Sequence, residues 1–397
     1  MPANNAQNAA TLNMQARQLI KLMSIKRIQS IANINYDPTK NNRQIINPQN
    51  VGLIRGFWVQ VTHTVSNGSA VDIDLTQFGP ANALSMIQFD DLNNVTRIQT
   101  PGWHLHLVNS CKARRPFGAA LEHTATDSPI DYGANWINQI SAPAQIAAGG
   151  VGTVIMRYWV PLVYGGDDLR GGVYANVVNS TMRLFFDAPG SNGVVTAVTQ
   201  GSDDTLAMYV GHAAGSVALV TITNTNLLVY QEYLDQLPVN NGQVILPVID
   251  LATIYELKQT SQTGIVAGQD FNYQYANFRD FLSTIVVYNH DPSVQDGRGV
   301  GADINYWALQ SANASNVWKM DPGLIAHMNR NFMQTDFPPG VYYFGTREKP
   351  INTQQYGNMQ LVLNAITAQP NAYQLVGVED FALQQTLSMA GSLASGG

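Results

Sequence analysis

His104 and His106, one residue apart in GWHLHLVN, come nearer to a reactive pair than any other side chains in the sequence. Alternate residues of a strand share a face, so two imidazoles at that spacing are able to hold a metal ion. Three acidic doublets, Asp90-Asp91, Asp167-Asp168 and Asp203-Asp204, offer carboxylate oxygens for an ion or for an acid and base pair. Cys111 sits in CKARRP, among cations of the kind that lower a thiol pKa.

Each of these signals meets a plainer reading. Cupin jelly-roll enzymes follow their second His closely with a Glu, but here Ser110 and Cys111 fill those positions and the nearest Glu is Glu122. Gly102 also lies closer to His104 than the cupin motif asks. No second His-x-His exists, and His63, His123, His212, His290 and His327 are scattered, which favours satisfied core or interface histidines over a metal pair. The doublets sit in turn-like contexts without regularly spaced oxygen ligands, and a lone thiol without a partner motif reads as structural. There is no G-x-S-x-G and no phosphate-binding glycine loop, and GRGVGAD at 297–303 lacks the Lys-Ser/Thr that such a loop needs. The expectation is no catalytic residue, no cofactor and no metal site.

The scaffold that must carry these residues is large. At 397 residues the chain exceeds what one hydrophobic core organises, so two domains, or one with large insertions, are expected. Charged residues make up 12% of the chain, against about 25% in an ordinary soluble domain. Counting gives 36 Asn and 30 Gln, so amides outnumber the 48 charged side chains and suit a surface that packs closely against copies of itself. A hydrophobic content of 45% with net charge -6 argues against disorder. The single cysteine excludes an intramolecular disulfide. No stretch reaches the roughly eighteen consecutive apolar residues of a membrane span, and the amino terminus lacks an apolar secretory core, so the chain is expected to begin near Met1. Charge is unevenly placed: no acidic residue precedes Asp37, while Arg17, Lys21, Lys26 and Arg27 give the leader +4.

That leader reads as an arm with a helix from Leu12 to Ile31, ended by Pro38, either packed beneath its own barrel or turned as a basic, apolar element toward an anionic membrane surface or a genome. From Leu53 the pattern turns to period two. Phe57, Val59, Val61 and Val65 alternate with Trp58, Gln60, Thr62 and Thr64, which predicts a strand. The turn Ser66-Asn67-Gly68-Ser69 followed by Val71, Ile73 and Leu75 predicts a hairpin. Further strands are expected at 154–160, 182–186, 217–223, 285–288, 341–344 and 359–363. Helices are expected after Asp168 and after Asp321-Pro322, where Leu324, Met328 and Phe332 are spaced by four. Short strands with Gly and Pro turns point to antiparallel sandwiches or barrels. A faint echo pairs RYWVPLVY and TMRLFF (157–164, 181–186) with REKPI and NMQLVL (347–351, 358–363). It favours two similar all-β domains joined near 233–243.

Ordered segments then carry a resemblance. NVGLIRGFWVQVT (50–62), FGPANAL (78–84), GWHLHLVN (102–109), TDSPIDYG (126–133), APAQIAAG (142–149) and YWVPLVY (158–164) resemble the first half of tectivirus major capsid proteins. YQEYLDQLPV (230–239), ILPVIDLATIY (245–255), QYANFRDFLSTI (274–285), GADINY (301–306), TDFPPGVYY (335–343) and KPINTQQYGN (349–358) are similar to the second half, in the same order. The resemblance implies an all-β double jelly roll: an arm at 1–38, a first eight-stranded barrel at 39–240, and a second at 241–397 with a carboxy-terminal tail. It implies a homotrimer of pseudo-hexagonal outline in the icosahedral shell of a bacteriophage. It also implies neighbouring trimers, vertex and minor capsid proteins, an internal lipid membrane over double-stranded DNA, and no sequence-specific nucleic-acid binding. Arg17, Lys21, Lys26 and Arg27 would then face that membrane. The competing readings are a metal-dependent bicupin-like enzyme, distinguished by a stoichiometric metal on His104 and His106, and a glycan-binding double jelly roll.

Overall fold

The computed structural model describes residues 2–75, 79–113, 140–165, 168–177, 181–189, 194–199, 208–212, 217–263, 265–266, 268–289, 304–312, 314–333, 337, 340–346, 350–366 and 373–383. Among them the strands form two large sheets, one four-stranded sheet and two small ones. The first large sheet runs in the order β1 (Ile25–Tyr36), β14 (Val217–Asp235), β3 (Leu53–Asn67), β9 (Val151–Pro161) and β7 (Ile140–Ser141). β10 (Val173–Tyr174) pairs on β3 and β12 (Val194–Thr199) on β14.

The second large sheet belongs to both halves of the chain. Its order is β2 (Arg43–Ile46), β11 (Arg183–Asp187), β5 (Met86–Asp90), β6 (Thr96–Thr100), β17 (Thr253–Thr263), β25 (Tyr373–Leu383), β19 (Arg279–Asn289) and β22 (Val341–Gly345), with β23 (Ile351–Asn352) on β19. β6 and β17 pair in parallel through Leu257↔Ile98 and Lys258↔Gln99, and every other pairing among the described residues is antiparallel. The four-stranded sheet runs β18 (Asp270–Gln274), β24 (Met359–Ala365), β20 (Ile304–Ser311), β21 (Ala314–Met320). The small sheets are β13 (Tyr209–Gly211), β4 (Ile73–Leu75), β8 (Gln145–Ile146), and β15 (Val239–Asn240) with β16 (Gln243–Val244).

Two sandwiches result. In the first, Phe57, Val59 and Val61 of β3 face Ile87 and Phe89 of β5 and Leu184 and Phe186 of β11, all buried, with the Phe57 and Phe89 rings 5.5 Å apart. In the second, Trp307 and Leu309 of β20 and Leu361 and Leu363 of β24 face Val286, Tyr342, Phe344, Val376 and Val378 across the core. Trp307 lies 5.3 Å from Tyr342 and 5.4 Å from Phe344. Each large side chain removed from water there contributes about 1.5–3 kcal/mol. Ile285 and Val287 of β19 point the other way, into the first core. β19 is therefore apolar on both faces, as a strand buried on both sides must be.

All six further strands expected from period two are present, as β9, β11, β14, β19, β22 and β24. The echo has a topological counterpart. β9 and β11 lie in opposed sheets of the first sandwich, and β23 and β24 in opposed sheets of the second. Residues 347–349 of the echo lie outside the described ones.

Four expectations are corrected. The arm helix α1 spans Pro2–Met23 instead of continuing to Ile31, because the Ile-rich segment after Ser24 pairs along β14 from Ile25↔Asp235 to Tyr36↔Thr225. The Asn67-Gly68 turn makes no hairpin. The Asn67 amide instead donates to Val71, Ile146 and Ala147 carbonyls, and β4 pairs with β8 and β13. Among the described residues 168–177 no helix follows Asp168, since Gly171 takes φ +88°, where a β-carbon would run into Leu162 and Tyr255. Finally, His104 and His106 lie on helix α2 (Gly102–Ala113), not on a strand.

The described residues also include the helices α3 (Val248–Leu251), α4 (Pro322–Met333) and α5 (Thr353–Tyr356). α4 begins as expected, with Leu324 N donating to the Asp321 carboxylate at 3.0 Å. Its inward face is Pro322, Ile325, Asn329 and Phe332, whereas Leu324 and Met328 are exposed.

Candidate functional site

α2 leaves β6 through Pro101 and is buried on nearly every side, with Trp103, Leu105, Leu107, Val108 and Cys111 in the first core. A helix apolar all round carries no stripe, so its alternating His and Leu mimic a strand. On the helix His104 and His106 stand about 200° apart, from 100° per residue, and cannot share a ligand as a strand pair would. His104 Nδ1 contacts Thr100 Oγ1 at 2.5 Å and its ring packs flat against Gly377 of β25, where a β-carbon would overlap it. Burial holds His104 neutral, down to about 3, and His106 down to about 4. His63 is also held at about 4 by burial, bridging Thr225 Oγ1 at 2.7 Å and the Ala83 carbonyl at 2.6 Å. Among the described residues no group of three or more His, Cys, Asp or Glu is placed to hold a metal.

The other sequence candidates are structural where they are described. Asp91 accepts from Asn93 N, Val95 N and Arg97 Nε, closing the turn between β5 and β6. Asp90 accepts from Gln88 and Thr96. Asp168 is held by Arg170. Burial pushes the Cys111 thiol well above its usual pKa, which leaves no thiolate for chemistry. Asp167, Asp203, Asp204, Glu122, His123, His290 and the 297–303 loop lie outside the described residues.

The arm is tied down by carboxylates that the sequence reading passed over. Arg17 forks onto Asp250 of α3, Nε to Oδ2 at 2.7 Å and Nη2 to Oδ1 at 2.6 Å, and Asn13, one turn away, donates to the same carboxylate at 3.0 Å. Ile20 fills a separate apolar pocket with Leu53 and Leu169. Asn13, Ala16 and Ile20 thus form the buried edge of α1, spaced by three and four. Lys26 reaches Glu232 at 3.0 Å, which also receives Arg55 and the Trp58 indole, and Arg27 pairs with Asp235 at 2.6 Å. Arg17, Lys26 and Arg27 are therefore each met by a carboxylate of the same chain. Lys21 is exposed on α1, and Leu12, Leu22, Met23, Ile25 and Ile28 are exposed beside it. The signal for Asp250 and Glu232 was present as single acids in apolar runs, but only the fold shows which cation each one meets.

Among the described residues, none of the sequence candidates forms a reactive arrangement. Two family models match it in tandem, the P3 major capsid protein N-terminal model over residues 2–237 and the C-terminal model over 252–395. The chain belongs to the P3 major capsid protein family. The major capsid protein P3 of Enterobacteria phage PRD1 is 42% identical over 390 residues, covering 98% of this chain and 95% of that one. This P3-family chain is thus a structural coat protein of a bacteriophage, it is not an enzyme, and its place is the virion shell.

Solved structures agree on the fold. The major capsid protein of Sulfolobus turreted icosahedral virus superimposes with TM-score 0.62 at 10% identity, over 92% of this chain and 99% of that one. The Faustovirus major capsid protein does so with 0.52 at 8%, over 91% of each. The two sandwiches are the two barrels of a double jelly roll, as the resemblance to tectivirus coat proteins implied.

Proposed function

We propose that three copies associate about a threefold axis into a pseudo-hexagonal trimer, and that such trimers tile an icosahedral shell over a lipid membrane and double-stranded DNA. In this reading residues 1–38 are the arm, 39–240 the first barrel, and 241–397 the second barrel with its tail. One observation carries it: the two barrels of one chain stand side by side, joined in one sheet through the short β6 and β17 pairing, so three chains would bring six similar barrels around one axis. Fivefold vertices then need separate vertex proteins, with minor capsid proteins between trimers.

The arm is read as facing the membrane. Its support is the exposed apolar group Leu12, Leu22, Met23, Ile25 and Ile28, with Lys21 among them. Arg17, Lys26 and Arg27 already have internal partners, so apolar burial in the lipid interface is the larger contribution. Each Lys near an anionic bilayer adds about 1 kcal/mol. Light scattering of the purified protein tests the assembly reading: a stable species of about 130 kDa, three times 43.3 kDa, with hexagonal outlines in negative stain is expected. A species that stays at 43.3 kDa overturns it. For the arm, wild-type protein is expected to float with anionic vesicles and a Leu22→Ser, Ile25→Ser, Ile28→Ser variant to stay behind; equal flotation ends the membrane reading.

A further inference from the structure

The two barrels are joined in the sheet by very little. β6 and β17 share two residue pairs, so the angle between the barrels depends on what else crosses the junction, including Ile285 and Val287 packed in the first core. A second connection lies in α2. Near its start the His104 ring rests on the bare backbone of Gly377, and near its end Lys112 reaches the same strand, β25, two residues on.

The Lys112 ammonium sits half-buried among acceptors from both barrels. Its Nζ lies 2.5 Å from Glu379 Oε1, 2.7 Å from the Tyr255 hydroxyl and 3.3 Å from the Tyr164 carbonyl, so each of its three protons has an acceptor. The ring centroids of Tyr164 and Tyr255 stand 4.7 and 4.4 Å from Nζ. Glu379 is completed by Tyr255 at 2.6 Å and by the Ser283 hydroxyl at 2.7 Å. Lys112 and Tyr164 come from the first barrel, while Tyr255, Ser283 and Glu379 come from the second.

A buried ion pair recovers little more than its own desolvation, and its best-attested use is to specify one arrangement among several. A fully satisfied polar network inside an apolar junction is selective in the same way, because any other arrangement strands a charge. We propose that Lys112 and its acceptors are the registration point that fixes the angle between the two barrels, with α2 as the strut and Gly377 the position that lets the strut seat. This goes beyond the trimer reading and stands without it. Under that reading, a fixed angle is what makes six barrels from three chains equally spaced.

Spin labels report the angle directly. Val151→Cys on the first barrel and Val266→Cys on the second are exposed sites, and Cys111 is buried from the label. Labelled chains diluted with unlabelled ones give distances within a single subunit. In otherwise wild-type protein a single narrow distance is expected. Lys112→Met, which keeps the length and removes the charge, is expected to at least double its width, and Gly377→Ala to shift its mean. Unchanged widths and means in both variants overturn the proposal. Hydrogen exchange on the unsubstituted protein covers the case in which the variants do not fold. Amides of α2, β17 and β25 are expected to exchange as one cooperative unit, and α2 exchanging apart from β25 overturns the registration role. Neither result depends on the mass measurement, so the two readings fail separately.

Discussion

His63, His104 and His106 are neutral because nothing around them favours a proton enough to offset burial. In the unfolded chain each regains a pKa of about 6.5, so below that pH the unfolded state binds protons that the folded state refuses. Stability therefore falls as pH drops from 6.5 toward 4. Asp380 opposes this: burial, partly offset by Arg279, pushes it up to about 6, so the folded state holds a proton there that the unfolded state lacks. Three histidines against one aspartate leave about two protons, or ~3 kcal/mol per pH unit near pH 5. Urea midpoints at pH 6.5 and 4.5 check the slope. His104→Gln, neutral at every pH, is expected to reduce it by about a half, and an unaltered slope would remove His104 from this account. The pair drew attention in the sequence for its spacing, yet its environment is what decided its chemistry. Spacing of two means a shared face only on a strand, and α2 is a helix.

At the scale of elements, α1 and β1 show two kinds of attachment. β1 is held by a backbone ladder along β14, whereas α1 depends on Ile20 in its pocket and on the grip of Asn13 and Arg17 on Asp250. The Asp250 side chain is 3% exposed and that of Arg17 35%, so Arg17→Met strands a buried carboxylate that retains Asn13. After discounting for the exposed partner, about 1.5 kcal/mol of α1 docking is at stake. Trypsin cleavage after Lys21 is expected to accelerate about tenfold, since slow cleavage follows the open population. An unchanged rate would mean that the Ile20 pocket alone holds the helix. Strands with one wet face were legible from period two, as β3 and β9 were. α2 and the Asn67 turn were not, because the first is buried all round and the second spends its amide on a distant loop.

For the whole molecule, the scarcity of charge is the property with the widest reach. With 48 charged residues in 397 and several of them paired internally, long-range repulsion between copies is weak. Contacts between copies made largely by amides and apolar side chains are little affected by screening. The proposed trimer is expected to keep its mass between about 0.05 and 1 M NaCl, where the Debye length falls from roughly 14 to 3 Å. Dissociation at the high end, read by light scattering, would point instead to ion pairs at the subunit interface.

Composition, the period-two runs and the collinear segments were enough to establish an all-β coat protein with two similar halves. Those properties reside in local pattern, and a pattern survives without knowledge of what lies opposite. The partners of Asp250, Glu232 and Lys112, the helical state of 102–113 and the strand at 25–36 were decided only by tertiary structure. Each depends on a surface supplied from far along the chain: α3 for Arg17, β14 for the arm, β25 for α2. A buried group takes its meaning from such a neighbour, and no window of sequence contains both.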